Sequence, residues 1–117
     1  MPEQSSNFAE VKFVDHGEIL RDLRRAVAEA KTAHPEIVRV LLFGSLVRGN
    51  WTADSDADLM VVVEKDFPDF LTSRTAYQIF AKSISTDSLV YSTGEFEKLR
   101  TDASSFLAQN LPVAIEL

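Results

Sequence analysis

Two apolar runs constrain this chain more than anything else in it. The first is Ile37-Val38-Arg39-Val40-Leu41-Leu42-Phe43, and the second is Leu59-Met60-Val61-Val62-Val63, entered through Asp58 and left through Glu64. Both have strand length and are rich in β-branched residues. The second is nearly continuous in apolar residues, so it is expected to be covered on both faces, which calls for a sheet with helices against it. The first run breaks at Gly44-Ser45. The second opens with two carboxylates, Asp56 and Asp58, one residue apart. Residues 46–55 connect them and hold the turn formers Gly49, Asn50 and Ser55.

The rest of the chain fits around these runs. Residues 1–7 read as a flexible tail and 8–117 as a single domain. Residues 8–15 hold Phe8, Val11, Phe13 and Val14, too irregular for more than a short strand. A helix is expected to begin near Asp15-His16-Gly17-Glu18. Ile19, Leu20, Leu23, Val27 and Ala30 recur at helical spacing, and Pro35 stops it. A second helix is predicted from Asp66-Phe67-Pro68-Asp69 onward, with Phe70, Tyr77, Phe80 and Ile84 as its apolar stripe. Residues 86–91 read as a third strand. Ser92-Thr93-Gly94-Glu95 has the pattern of a helix cap, with Phe96, Leu99, Ala103, Phe106 and Leu107 in one helix behind it and Pro112 at its end. A short strand over 113–117 closes the chain. Three or four strands and three helices make an α/β (α+β) fold: a small mixed sheet flanked by helices.

The chain has 117 residues and a formal net charge of −6. At that charge it lacks the general attraction to phosphate backbones on which free nucleic-acid binding rests. It has no cysteine, which excludes disulfides, thiolate metal sites and a cysteine nucleophile and fits a reducing, cytoplasmic setting. No apolar run reaches the roughly 20 residues of a membrane span, and the first residues do not resemble a signal peptide.

Side chains two apart on a strand share a face, so Asp56 and Asp58 point the same way. Adjacent carboxylates oppose each other's ionisation unless a cation lies between them. A divalent ion would account for the pair. The glycine turn, with backbone N–H groups and the Ser45 hydroxyl, would hold a phosphate. Blander readings exist for each part: Gly44-Ser45 as an ordinary turn, and the aspartates as a solvated strand entrance. It is their combination that has few structural excuses. Arg48 fits a phosphate contact and a salt bridge across the loop equally well. Trp51 fits a base stack or, more commonly, a cover for the core edge. Arg21, Arg24 and Arg25 form a solvated helix face or a partner surface. Tyr77 and Tyr91 fit core faces. His16 and His34 sit by helix ends with no second ligand at metal spacing.

Gly44-Ser45, ten residues, then Asp56-x-Asp58 resembles the signature of the nucleotidyltransferase superfamily typified by DNA polymerase beta. Gly-Ser-x-x-Arg-Gly followed by Ser-Asp-x-Asp-Leu in a short chain is similar to the minimal nucleotidyltransferases, the small partners and often antitoxins of helical HEPN proteins. The resemblance implies a polymerase beta-like fold and makes Asp87 the third carboxylate. Ser88 stands where that family more often has an apolar residue. The resemblance further implies Asp56, Asp58 and Asp87 as catalytic residues and ligands of Mg2+, with two ions, and Gly44, Ser45 and Arg48 as the phosphate-binding set. Three carboxylates and a triphosphate repel one another, and two hard cations between them offset that and polarise the α-phosphate. Asp87 would lie nearest the attacking hydroxyl. The implied reaction moves AMP from ATP to a hydroxyl, expected to be a tyrosine of a HEPN-type toxin encoded nearby. Two alternatives stand beside it: a non-catalytic antitoxin that blocks its partner stoichiometrically, and a small-molecule nucleotidyltransferase completed by a separate subunit. Exposed sheet edges leave a homodimer open.

Overall fold

The structure is a computed structural model and describes residues 16–44, 47, 55–65 and 74–117. The flexible-tail reading of 1–7, the strand expected within 8–15, Trp51 and the start of the helix predicted from Asp66 lie outside them. Helix α1 spans His16–Ala33. Strands β1 and β2 are Ile37–Phe43 and Ala57–Val63. After a 3₁₀ turn at Thr75–Tyr77 come strand β3, Thr86–Ser92, and helices α2, Thr93–Thr101, and α3, Phe106–Asn110. A second 3₁₀ turn, Leu111–Val113, contains Pro112 and leads into β4, Ile115–Glu116.

The sheet order is β3-β2-β1-β4, so the two apolar runs are the inner strands. β1 runs antiparallel to β2 and β4, and β2 runs parallel to β3. The double cover expected of the second run is present, with six of the seven β2 residues buried. On one face, Ile19, Leu23, Ala26 and Val27 of α1 pack with Val40, Leu42, Leu59, Val61 and Val90. On the other, Phe96 of α2 and Leu107 of α3 cover Leu41, Phe43, Met60 and Val62. The α1 residues recur at helical spacing, and Glu18 and Lys31 lie at the ends that suit the helix dipole.

Two helix predictions need correction. Residues 74–85 are not the second half of a helix: a single 3₁₀ turn is followed by extended and bent backbone. Tyr77 and Ile79 are buried while Phe80 is 76% exposed, so the apolar stripe does not exist there. Tertiary contacts take the place of helical hydrogen bonds. The Asp22 carboxylate accepts from the backbone N–H groups of Lys82 and Ser83 and from the Ser83 hydroxyl. Tyr77 donates to Glu36 at 2.5 Å. The helix expected behind the Ser92 cap is two helices. The chain breaks at Asp102, and Ser105 starts α3 by accepting from the Ala108 N–H while its own hydroxyl donates to the Leu99 carbonyl. The cap itself is as expected. The Ser92 hydroxyl accepts from the Glu95 N–H, and the Glu95 carboxylate accepts from the Ser92 N–H.

Candidate functional site

The register of the inner strands builds the site. Asp58 of β2 lies opposite Phe43 of β1 on one side and opposite Asp87 of β3 on the other. Neighbouring strands lie about 4.8 Å apart, so the two carboxylates leave the sheet side by side. They sit on the face that carries Met60 and Val62, but at the end of the strands where that face is open, and both are exposed. Asp56 is also exposed and precedes the first β2 residue. Among the described residues no three His, Cys, Asp or Glu side chains lie close enough to hold a metal ion. The structure thus brings Asp58 and Asp87 together and leaves Asp56 beside them as the chain enters β2.

Gly44 follows Phe43 directly and takes φ of 90°, a left-handed value that disfavours residues with a Cβ. Its carbonyl accepts from the Val47 N–H at 3.1 Å, which turns the chain at once. A Cβ on Gly44 would overlap a carboxylate oxygen of Asp58. The backbone of the glycine turn and the first carboxylate of the pair are therefore in direct contact. Ser45 and Arg48 lie outside the described residues.

A cavity of about 110 Å³ opens next to the pair, lined by Phe43, Asp58, Met60, Asp87, Leu89 and Phe106 among others. The donor chemistry suits a hard divalent cation: the two adjacent side chains offer only carboxylate oxygens, in an open position that an ion and a phosphate can share.

One residue that the sequence reading missed ties the segment before β3 to the far end of that strand. Arg74 is 7% exposed. It donates to both carboxylate oxygens of Glu95 and to the Val90 carbonyl. That holds Glu95 down to about 2, chiefly through the Arg74 hydrogen bonds, with burial working the other way. Gln78 likewise donates to the Ser88 carbonyl, and buried Ser88 accepts the Ile79 N–H through its hydroxyl. The serine that departs from the family's usual apolar residue thus holds the 74–81 segment on β3. A lone arginine six residues after a proline carries no sequence signal for this role. Of the arginine face on α1, Arg25 pairs with Asp22 and Glu29, while Arg21 and Arg24 are exposed. Among the described residues no helix is long and apolar enough to cross a membrane.

A family model described as nucleotidyltransferase domain matches residues 20–113. Among solved structures, a protein from Sulfolobus solfataricus assigned as a nucleotidyltransferase matches with a TM-score of 0.57 and 22% identity, over 71% of this chain and 75% of that one. At that identity the likeness concerns the fold, and the fold is the expected mixed sheet flanked by helices. No curated protein matches the sequence.

Proposed function

The chain belongs to the nucleotidyltransferase domain family, and on that premise we propose that it transfers AMP from ATP to a hydroxyl group of another protein. The observation that carries this is the register pairing of Asp58 with Asp87 next to the left-handed Gly44 turn. Asp58 and Asp87, with Asp56 beside them, would hold divalent ions, magnesium by their oxygen donor set. Bound there, the metal neutralises the triphosphate and stabilises the charge that develops on the leaving pyrophosphate. Gly44 lets the backbone come close to the triphosphate, and Ser45 and Arg48 add a hydroxyl and a cation to it. Asp87, on the outer strand, faces the acceptor side. The acceptor oxygen forms a bond to the α-phosphorus, the bond from that phosphorus to the pyrophosphate oxygen breaks, and the hydroxyl proton passes to Asp87 and on to water.

The acceptor in this reading is a tyrosine of a HEPN-type helical toxin encoded beside this chain, which the modification would silence. Its support is the resemblance carried by Gly44-Ser45 and Asp56-x-Asp58. The test is incubation of the protein with α-labelled ATP, magnesium and the product of the adjacent reading frame. Label is expected on the partner with the wild type, and none with Asp58→Ala, Asp87→Ala or excess EDTA. Equal labelling by either variant would overturn the reading. Neutralisation of the partner by Asp58→Ala at equal stoichiometry would point instead to a binding antitoxin.

A further inference from the structure

The cavity beside the carboxylates is too apolar and too small to be a whole nucleotide site. At about 110 Å³ it is well below the roughly 300 Å³ at which pockets begin to take a complete small molecule. It has room for one ring. Phe43 and Met60 are buried, but Leu89 is 52% exposed and Phe106 is 58% exposed. These last two are apolar lips open to water in a lining that also holds an acidic pair. Phe106 is held there by its neighbours. Ser105 fixes the start of α3 through the Leu99 carbonyl, Leu107 is buried next to it, and the Phe106 ring packs on Phe43 at 5.7 Å. Water in such a slot finds few partners, so an apolar ring displaces it favourably.

Two rings come near these carboxylates in a nucleotidyl transfer: the nucleobase and any ring on the acceptor. A nucleobase is separated from its α-phosphate by a ribose. The slot shares its walls with Asp58 and Asp87 and leaves no such interval. A hydroxyl attached directly to an aromatic ring fits without one. Its oxygen reaches Asp87 while the ring lies between Phe106 and Leu89.

We propose that this slot receives the aromatic ring bearing the acceptor hydroxyl, and that Phe106 and Leu89 are specificity-determining residues that select a phenol over a sugar or aliphatic alcohol. The proposal rests on the reading above that Asp87 faces the acceptor. The test uses methyl-labelled protein, observing Met60 and Leu89 by NMR in the presence of magnesium and a nonhydrolysable ATP analogue, with p-cresol, cyclohexanol and adenosine as probes. p-Cresol is expected to shift both methyl signals. Cyclohexanol is expected to do so more weakly and adenosine not at all. Phe106→Ala should weaken p-cresol roughly two- to twelvefold, the range of an aromatic pair. Leu89→Asn, read at Met60 alone, should weaken it too. Both side chains are mostly exposed, so the fold is expected to survive either change. Shifts by adenosine that Phe106→Ala abolishes would make the slot a base pocket and overturn the proposal. So would p-cresol that moves neither signal, or p-cresol binding unaffected by both variants. The ATP analogue alone should shift the Gly44 amide. If it does not, the transfer reading fails separately, whatever p-cresol does.

Discussion

Gly44→Ala is the most informative single substitution, because the structure divides its cost into two parts. The first is backbone strain. At φ of 90° a residue with a Cβ is held in a sparsely populated region, at about 1–3 kcal/mol. The second is the contact with Asp58. The new Cβ would overlap a carboxylate oxygen and press on the carboxyl carbon, yet it stands 3.5 Å from the Asp58 Cβ, an ordinary distance. The obstruction is thus the far end of a side chain that can rotate. Asp58 is expected to swing aside, so this part falls on catalysis and little of it on stability. With a urea slope of about 1–3 kcal/mol/M, the unfolding midpoint should drop by roughly 1 M. A displaced carboxylate should lower the transfer rate by roughly 10²-fold. A double-mutant cycle separates the parts. Asp58→Ala removes the obstruction but not the strain, so Gly44→Ala should cost the same stability in either background, within about 0.5 kcal/mol. Urea denaturation of the four proteins and label transfer by the two that keep Asp58 make the measurement. Transfer by Gly44→Ala within threefold of wild type would refute the placement of Asp58 against the turn, and unchanged stability would refute the strain.

Other consequences follow from the polar contacts that replace the missing helix. Glu95→Gln weakens both the Arg74 pair and the α2 cap and should cost about 1–3 kcal/mol in urea unfolding. Because the folded carboxyl is held down to about 2, its contribution is complete above roughly pH 4.3 and lost as pH falls through about 2. The acid slope of stability should therefore be shallower in Glu95→Gln than in wild type. Asp22 is also held below the usual carboxylate range: burial opposes this, but hydrogen bonds from Arg25, from the Ser83 side chain and from the Ser83 and Lys82 backbone outweigh it. Asp22→Ala should cost about 1–3 kcal/mol, and the Lys82 and Ser83 amides should be the ones whose hydrogen exchange accelerates most.

The inner strands were readable because continuous apolar runs have one good home, the middle of a covered sheet. The Ser92 cap was readable because Glu95 stands three residues on, and Gly44 because it ends a buried strand. The 74–85 segment was misread because Tyr77, Phe80 and Ile84 are close enough to helical spacing to imitate a stripe. What decides against a helix there is remote: Asp22, 60 residues from Lys82, takes the backbone N–H groups that a helix would have used. The split between α2 and α3 turns on Ser105, whose hydroxyl both ends one helix and caps the next. Serine is too common for its spacing alone to disclose that. Asp56 and Asp58 were expected to act as a pair along one strand. In the fold Asp58 also stands opposite Asp87, and that depends on the parallel register of β2 and β3, which local sequence does not encode.

That register has a consequence for stability. Like charges directly opposite across strands cost about 0.2–1 kcal/mol, and Asp58 and Asp87 are such a pair. Both are exposed, at the end of the strands where β2 and β3 begin. In metal-free buffer Asp87→Asn should therefore leave the protein as stable as wild type or up to about 1 kcal/mol more stable, although it removes a residue on which the proposed transfer depends. Magnesium should reverse the order. A cation that binds only the folded protein stabilises it by about 2.7 kcal/mol at a concentration 100 times its Kd, and Asp87→Asn should lose most of that gain. Thermal unfolding with EDTA and with a magnesium titration gives four curves that decide the matter. Destabilisation of Asp87→Asn in EDTA would mean that the carboxylate has a structural task. Equal stabilisation of both proteins by magnesium would mean that the ion binds elsewhere.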